Sequence, residues 1–265
     1  MLSTRILTAL VGIPLVFVCI YFGNITFYLL MFIVSFFCVK EYLAISKRYN
    51  PHSATSLAMA VVFFLFLYFF DIFPYDKVAV SAIIMMFVFF FIEVFGENPN
   101  LSVGRISVSF FGSFFIPLSL MYMVYIRNLY DGMKLIFFIF IVVWVLDTAA
   151  YAFGIMFGKH KLAKNVSPKK TIEGAVAGII FGMLTAYLCR YIFMKYVLTT
   201  NEALMVGFVI AVTGQFSDLA ESLIKRDGNI KDSGKIIPGH GGIFDRFDSY
   251  IFAAPAVYYV LQILR

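Results

Sequence analysis

Apolar runs long enough to cross a lipid bilayer fill most of this sequence, and they restrict the chain to a helical membrane protein. Hydrophobic residues make up 62% of the 265 positions and charged residues 14%, against about 25% charged residues in soluble domains. A helix that spans a bilayer needs about 20 mainly apolar residues, and only helices or closed barrels satisfy their backbone polar groups in lipid. The sequence therefore predicts an all-α, polytopic integral membrane protein.

About nine spans are predicted when this length is used as the criterion. Their approximate bounds are 6–23, 25–45, 55–73, 78–95, 106–126, 135–157, 172–194, 203–224 and 249–264. No small-residue cleavage site follows the first apolar run, so we expect that run to be retained as a span. We predict one membrane domain overall, in which residues 1–130 supply N-terminal helices and residues 131–265 form the catalytic region.

Basic residues are concentrated in every second loop, which predicts the orientation of the chain. Lys47 and Arg48 follow the second span, and two Lys-rich polar loops, 159–171 and 225–248, follow the sixth and eighth spans. Positively charged loops stay in the cytoplasm. Nine spans with a cytoplasmic N-terminus place all these loops on that side. We predict a multi-pass protein of the cytoplasmic (inner) membrane, and no nucleic-acid partner, because no basic patch of the nucleic-acid-binding kind is present.

The loop 225–248, with the helix end before it, is the most polar part of the chain. Glycines let backbone amides approach an oxyanion, and cations neutralise it, so this composition favours phosphate binding. The candidate phosphate-binding residues here are Ser222, Lys225, Arg226, Lys231, His240, Gly241, Gly242 and Arg246. His240 can instead be a packed residue. A purely basic anchoring loop is the alternative, but it requires neither paired glycines nor an Asp-x-x-Asp spacing.

Four carboxylates near this loop are candidate metal ligands. Asp147 lies inside an apolar span, where a charge is costly and usually functional, although an interhelical hydrogen bond is the alternative. Asp218 lies near the end of the eighth span, and Asp245 and Asp248 share a face if a helix begins after the paired glycines. Such carboxylates suit Mg²⁺, either one ion or two nearby cations.

Three glutamates near the ends of spans have less certain roles. Glu221 lies on the same helical face as Asp218 and Lys225, so it is either functional or only a local ion-pair partner of Lys225. Glu41 and Glu93 are interpreted as structural, with side chains that extend to the membrane interface.

The loop 159–171 carries the second group of candidate phosphate ligands. Lys169 and Lys170 are predicted to contact phosphates, with positive-inside anchoring as the alternative. Ser167 is a candidate substrate-binding residue. Alternatively, it caps the following helix, with Glu173 in the first turn of that helix.

These motifs together resemble the phosphatidate cytidylyltransferase (CDP-diacylglycerol synthase) family. The pattern of that family is Ser, Lys-Arg, Lys-Asp, His-Gly-Gly, Asp-Arg and Asp, and here it runs from Ser222 to Asp248. The second loop similarly reads Ser-Pro-Lys-Lys-Thr-Ile-Glu-Gly from Ser167 to Gly174. The resemblance extends from about Trp144 to the C-terminus.

The resemblance implies that CTP and phosphatidate react to give CDP-diacylglycerol and pyrophosphate in an Mg²⁺-dependent nucleotidyl transfer. Asp218, Asp245, Asp248, Lys225, Arg226 and Arg246 are then the expected catalytic residues. The partners are CTP, phosphatidate and the bilayer, and a homodimer is expected because few spans surround a site open to lipid. The alternative is a polytopic transporter for a phosphorylated or anionic substrate, which would more often show inverted repeats.

Overall fold

Long helices account for most of the protein, whose computed structural model describes residues 2–70, 76–96, 98–239 and 241–264. The helices are α1 (Leu2–Phe22), α2 (Asn24–Ile45), α3 (Ser53–Phe69), α4 (Asp76–Val94), α5 (Ser102–Phe110), α6 (Ile116–Asn128), α7 (Gly132–Phe157), α8 (Ile172–Ile192), α9 (Thr200–Asp227) and α10 (Phe244–Leu264). A short antiparallel hairpin of β1 (Lys161–Ala163) and β2 (Ser167–Thr171) precedes α8. The predicted all-α membrane architecture is confirmed, with this hairpin as a small addition.

Each of the predicted spans coincides with a helix. Within the described ranges, seven helices are long and apolar enough to cross a membrane, and α5 and α6 form one of them through the π-helical turn Phe111–Phe115. The apolar helices Leu10–Phe22 and Ser53–Phe69 are shorter. Pro117 follows the π-helical turn, and its missing N–H accounts for the local change in hydrogen bonding. The count of about nine spans and the cytoplasmic N-terminus stay predictions.

Contacts between helix ends show which ends of the helices lie together. Arg48 at the end of α2 pairs with Asp227 at the end of α9 at 2.9 Å. Thr8, near the start of α1, donates to the carbonyl of Pro238 at 3.0 Å. Far from these contacts along α1 and α6, Arg127 Nε donates to the carbonyl of Ile20 at 2.9 Å. The polar loops therefore meet at one end of the bundle, called here the polar end.

Small residues bring the helices of the second half close together. A Cβ atom at Gly207 of α9 would lie 2.5 Å from Cβ of Ala186 on α8. A Cβ atom at Gly174 of α8 would lie 2.5 Å from the carbonyl oxygen of Ala150 on α7. Membrane helices associate by such close backbone packing because lipid gives them no hydrophobic driving force. This packing holds α7, α8 and α9 together along their length.

The predicted orientation gives an expected result in cysteine-labelling experiments. Lys169→Cys and Lys235→Cys should react with a membrane-impermeant maleimide only from the cytoplasmic side of sealed vesicles, because positive loops are retained there. Lys195→Cys, between α8 and α9, is the matched control and should react only from the other side. Reaction of both basic loops from the outside would contradict the predicted orientation.

Candidate active site

A cavity of about 740 Å³ opens at the polar end between α7, the β-hairpin, α8, α9 and α10. Eight of the predicted site residues line it. They are Asp147, Lys169, Lys170, Asp218, Lys225, Asp245, Arg246 and Asp248. Asp232 adds a further carboxylate. Cations from both polar loops therefore share one volume with carboxylates of α7, α9, α10 and the loop 225–248.

Three of the carboxylates at the polar end lie close enough together to hold a metal ion. Asp218 and Glu221 lie one turn apart on α9, and Asp248 comes from the first turns of α10. One oxygen from each lies within 4.8 Å of the others. Glu221 is 2% exposed, and its Oε1 atom accepts no hydrogen bond within the described part of the chain. An oxygen-only donor set with a buried, unsatisfied carboxylate oxygen fits a hard divalent cation.

Asp245 uses both of its oxygens within the protein. Oδ1 accepts from Lys225 Nζ at 2.8 Å. Oδ2 accepts from the backbone amides of Gly242 and Ser233 and from the Ser233 hydroxyl, each at 2.9 Å. Asp245 therefore holds in place Lys225 and the loop of residues 233–239 and 241–243, called here the glycine loop. Its assignment as a metal ligand stays a prediction. Asp147 lines the cavity from α7 without joining the three-carboxylate cluster.

Two lysines neutralise this cluster. Lys170 of β2 forms an ion pair with Asp218. Lys225 lies between Glu221 Oε2, at 2.6 Å, and Asp245 Oδ1. The Glu221–Lys225 pair expected from the helical spacing is present, but it is buried, with side-chain exposures of 2% and 13%. Each polar loop thus contributes an ammonium group that contacts a carboxylate of the cluster.

Comparison with known proteins agrees with this chemistry. The sequence matches the model of the cytidylyltransferase family over residues 3–264.

The chain belongs to the cytidylyltransferase family.

Several curated relatives carry a more specific name. A protein of Staphylococcus saprophyticus named phosphatidate cytidylyltransferase is 31% identical over 255 residues, which are 96% of each chain. Proteins of the same name from Staphylococcus haemolyticus and Staphylococcus aureus are 43% identical over 141 residues and 44% identical over 125 residues. The alignment with the Staphylococcus haemolyticus protein covers 53% of both chains. The alignment with the Staphylococcus aureus protein covers 47% of this chain and 48% of the relative. The family resemblance inferred from the motifs is confirmed.

The other described residues of the family pattern are not among those that line the cavity. Arg226 donates through Nε to the carbonyl of Val166 at 3.1 Å, and through Nη1 to that of Ile230 at 3.3 Å. It therefore joins the two polar loops. Gly242 gives its amide to Asp245, and Gly241 has a φ of 86°. The substrate-binding assignments of these and the remaining residues stay predictions; the remaining ones are Ser167, Ser222 and Lys231, with His240 outside the described residues.

The alternative role of Ser167, as the cap of the following helix, is wrong. Thr171, and not Ser167, caps α8, because its Oγ1 accepts from the amide of Gly174 at 3.2 Å. Ser167 begins β2, whose residues pair with β1 before the helix starts at Ile172. Glu173 does lie in the first turn of α8, and it also accepts a hydrogen bond from His160 Nδ1 at 2.6 Å.

The interpretation of Glu41 and Glu93 as residues that extend to the membrane interface is also wrong. They are 4% and 9% exposed. Glu93 contacts His52 Nε2 at 2.6 Å and Arg105 Nη1 at 2.9 Å. Glu41 lies beneath the glycine loop, a contact that the sequence does not predict. Its position close to the C-terminal end of α2, where a helix dipole disfavours negative charge, is the signal that a distant partner was needed.

Proposed function

We propose that the protein transfers the cytidylyl group of CTP to phosphatidate at the cytoplasmic face of the membrane, forming CDP-diacylglycerol and pyrophosphate. The observation that carries the proposal is the cavity at the polar end, where cations from two loops meet carboxylates beside membrane helices. Membership of the cytidylyltransferase family supplies the nucleotidyl transfer, and the names of the curated relatives supply the lipid substrate. Neither supports the transporter alternative.

The proposed reaction joins two polyanions. An oxygen of the phosphatidate phosphate attacks the α-phosphorus of CTP, the bond from that phosphorus to the β-phosphate oxygen breaks, and pyrophosphate leaves with the electron pair. A phosphomonoester is largely ionised at neutral pH. The attacking oxygen therefore needs no strong general base, and the chief task of the site is to neutralise and align the phosphates.

Asp218, Glu221 and Asp248 would hold the divalent cation, which we propose to be Mg²⁺. Bound there, the cation neutralises phosphate charge and orients the reacting groups. Asp147 and Asp245 remain proposed ligands, for the same ion or for a second cation.

Lys169, Lys170, Lys225 and Arg246 supply the positive charge on the side of the protein. All four line the cavity together with Asp218 and Asp248. Lys170 and Lys225 contact carboxylates of the cluster, so a cation at those oxygens competes with the ammonium groups. The displaced ammonium groups would lie beside the cavity, where they would bind phosphate oxygens. We propose that cation binding and phosphate binding are linked in this way.

An assay in detergent tests the proposed function directly. Purified protein is incubated with radiolabelled CTP, phosphatidate and Mg²⁺, and the label in the lipid phase is measured. If the protein is the proposed enzyme, labelled CDP-diacylglycerol is formed. A transporter would form no new lipid, and in detergent it has no compartments between which to move a substrate. Diacylglycerol in place of phosphatidate is the control, since it lacks the attacking phosphate. Absence of lipid-phase label with phosphatidate would rule out the proposed function.

The linkage between the lysines and the cation predicts that removing Lys170 strengthens Mn²⁺ binding but slows cytidylyl transfer. Lys170→Ala should bind Mn²⁺ several-fold more tightly in the absence of substrate, because a cation beside the carboxylates is removed. The same variant should transfer the cytidylyl group more slowly, because a phosphate ligand is lost. Electron paramagnetic resonance of free Mn²⁺ and steady-state kinetics give the two values.

Lys164→Ala is the matched control for this prediction. Lys164 is an exposed residue of the same hairpin loop and is not among the residues that line the cavity. Both measurements should stay within about twofold of the wild type, as for most surface substitutions. Weaker Mn²⁺ binding by Lys170→Ala than by Lys164→Ala would contradict the proposed competition.

We also propose that residues 1–130 supply the N-terminal helices, that residues 131–265 form the catalytic region, and that the protein is a homodimer.

A further inference from the structure

Glu41 connects the N-terminal half of the chain to the glycine loop of the active site. Its side chain is buried and accepts three hydrogen bonds. Oε2 accepts from the amide of Phe244 at 2.8 Å and from the Ser233 hydroxyl at 3.0 Å, and Oε1 accepts from the amide of Ile243 at 3.2 Å. Residues 41 and 244 are 203 positions apart in the sequence. Burying a carboxylate is costly unless donors compensate it, and these donors do so.

The negative charge of Glu41 is favoured by the dipole of α10 and disfavoured by that of its own helix, α2. Glu41 lies close to the C-terminal end of its own helix, where the dipole disfavours an anion, but at the N-terminal end of α10, where the dipole favours one. The amides of Ile243 and Phe244 thus have an anionic partner within the chain. These hydrogen bonds hold the start of α10, whose first turns line the cavity.

Two glycines of the loop are required by this carboxylate. A Cβ atom at Gly242 would collide with Glu41 Oε2 and Ser233 Oγ, and one at Gly234 would collide with Glu41 Oε1. The three nearest atoms to a Cβ at Gly234 all belong to Glu41. Glycine at these two positions therefore leaves room for the carboxylate of Glu41.

A chain of contacts leads from Glu41 to the carboxylate cluster. Ser233 Oγ contacts both Glu41 and Asp245. Asp245 holds Lys225, and Lys225 holds Glu221. In addition, α10, whose first turns Glu41 binds, carries Arg246 and Asp248. A shift of the N-terminus of α10 therefore moves one member of the cluster, Asp248, relative to the other two on α9.

We propose that Glu41 is a positioning residue of the active site, which uses its negative charge to fix residues 233–234 and 242–243 of the glycine loop and the start of α10 so that Asp248 meets Asp218 and Glu221. The activity measurements below rest on the proposed function, whereas the cation-binding measurements do not.

Glu41→Gln tests the charge with little change in size. A glutamine has only one acceptor oxygen, and its NH₂ group would face a backbone amide donor. We expect the variant to bind Mn²⁺ about tenfold more weakly without substrate and to lose between about tenfold and 100-fold in kcat, as is typical when a residue that orients metal ligands is changed. The Mn²⁺ affinity is measured by electron paramagnetic resonance on the detergent-solubilised protein.

Glu93→Gln is the matched control. Glu93 is also a buried glutamate near the polar end, but its partners His52, Ser102 and Arg105 do not line the cavity. It should lower thermal stability while leaving Mn²⁺ affinity and kcat within about twofold of the wild type. Equal Mn²⁺ affinities in Glu41→Gln, Glu93→Gln and the wild type would overturn the proposal and leave Glu41 with a structural role only.

Gly234→Ala provides a second test that leaves the carboxyl group in place. Gly234 is not among the residues with positive φ, so its backbone accepts alanine. The variant should show the same weakened Mn²⁺ binding as Glu41→Gln. In a Glu41→Ala background the added methyl group has room, so Gly234→Ala should cause no further loss, a non-additive result expected for residues in contact. Additive losses, or wild-type behaviour of Gly234→Ala, would overturn the proposal even if Glu41→Gln did not fold.

The two proposals fail separately. If the wild type transfers no cytidylyl group, the proposed function is wrong, but the Mn²⁺ affinities of the variants still decide whether Glu41 positions the cluster.

Discussion

Asp218→Asn is expected to reduce cytidylyl transfer by about 10²–10³-fold, the effect of losing several kcal/mol of charge stabilisation. Asp218 contributes an oxygen to the three-carboxylate cluster and also pairs with Lys170. Asparagine keeps the size of the side chain but offers a neutral oxygen, which a hard divalent cation binds less well. Steady-state kinetics at several Mg²⁺ concentrations, with Mn²⁺ affinity measured separately, give the result.

The direction of the change in Mn²⁺ affinity separates the two roles of Asp218. Asp218→Asn should weaken Mn²⁺ binding, whereas Lys170→Ala should strengthen it, although both variants break the same ion pair. If breaking the pair were the whole effect, the two variants would change Mn²⁺ affinity in the same direction.

Asp227→Asn is the control for this prediction. Asp227 lies at the end of the same helix, and its partner Arg48 is outside the cavity. The two side chains are 41% and 53% exposed, and exposed pairs contribute about 0–1 kcal/mol. Transfer by this variant should stay within about twofold of the wild type. Near-normal turnover of Asp218→Asn at saturating Mg²⁺ would remove Asp218 from the proposed ligands.

The spans and most of the charged residues that line the cavity could be predicted from the sequence, because each depends on local information. Apolar runs of about 20 residues are long enough to cross a bilayer, and the helices follow them closely. The polar stripe of Asp218, Glu221 and Lys225 likewise depends only on the period of one helix. Such features need no knowledge of how the helices pack.

The membership of the carboxylate cluster could not be predicted in the same way. Asp245 and Asp248 lie three residues apart on α10, and spacing alone made both of them ligands. In the structure Asp248 joins Asp218 and Glu221, whereas Asp245 faces Lys225 and the glycine loop. The difference depends on how α9 and α10 are rotated relative to one another, which the sequence of either helix does not specify.

Contacts over long sequence separations were the other missing information. The hydrogen bonds of Glu41 to α10 and of Arg226 to Val166 join segments that are distant in the chain. The β-hairpin depends on pairing between two short, lysine-rich strands without apolar alternation. A strand pattern of period two was therefore absent from the sequence.

Lys225→Met is expected to destabilise the folded protein strongly as well as to abolish most of the transfer. Lys225 Nζ lies 2.6 Å from Glu221 Oε2 and 2.8 Å from Asp245 Oδ1, and the three side chains are at most 13% exposed. Removing the ammonium group leaves two buried carboxylates without their common counter-ion. Breaking a buried ion pair in this way costs about 3–5 kcal/mol. Thermal unfolding of the solubilised protein without divalent cations measures the loss.

Lys235→Met is the control, because Lys235 is an exposed lysine of the same polar loop and a surface change should alter stability by no more than about 0.5 kcal/mol. Adding Glu221→Gln to Lys225→Met should restore part of the stability, since one of the two uncompensated charges is removed. It should not restore transfer, because Glu221 is a proposed metal ligand.

Mn²⁺ should also stabilise Lys225→Met more than the wild type, because a ligand that binds the folded state more tightly shifts the folding equilibrium further. If Lys225→Met unfolds at the same temperature as Lys235→Met, the buried lysine does not stabilise the carboxylates, and the linkage between cation binding and phosphate binding loses its basis at this position.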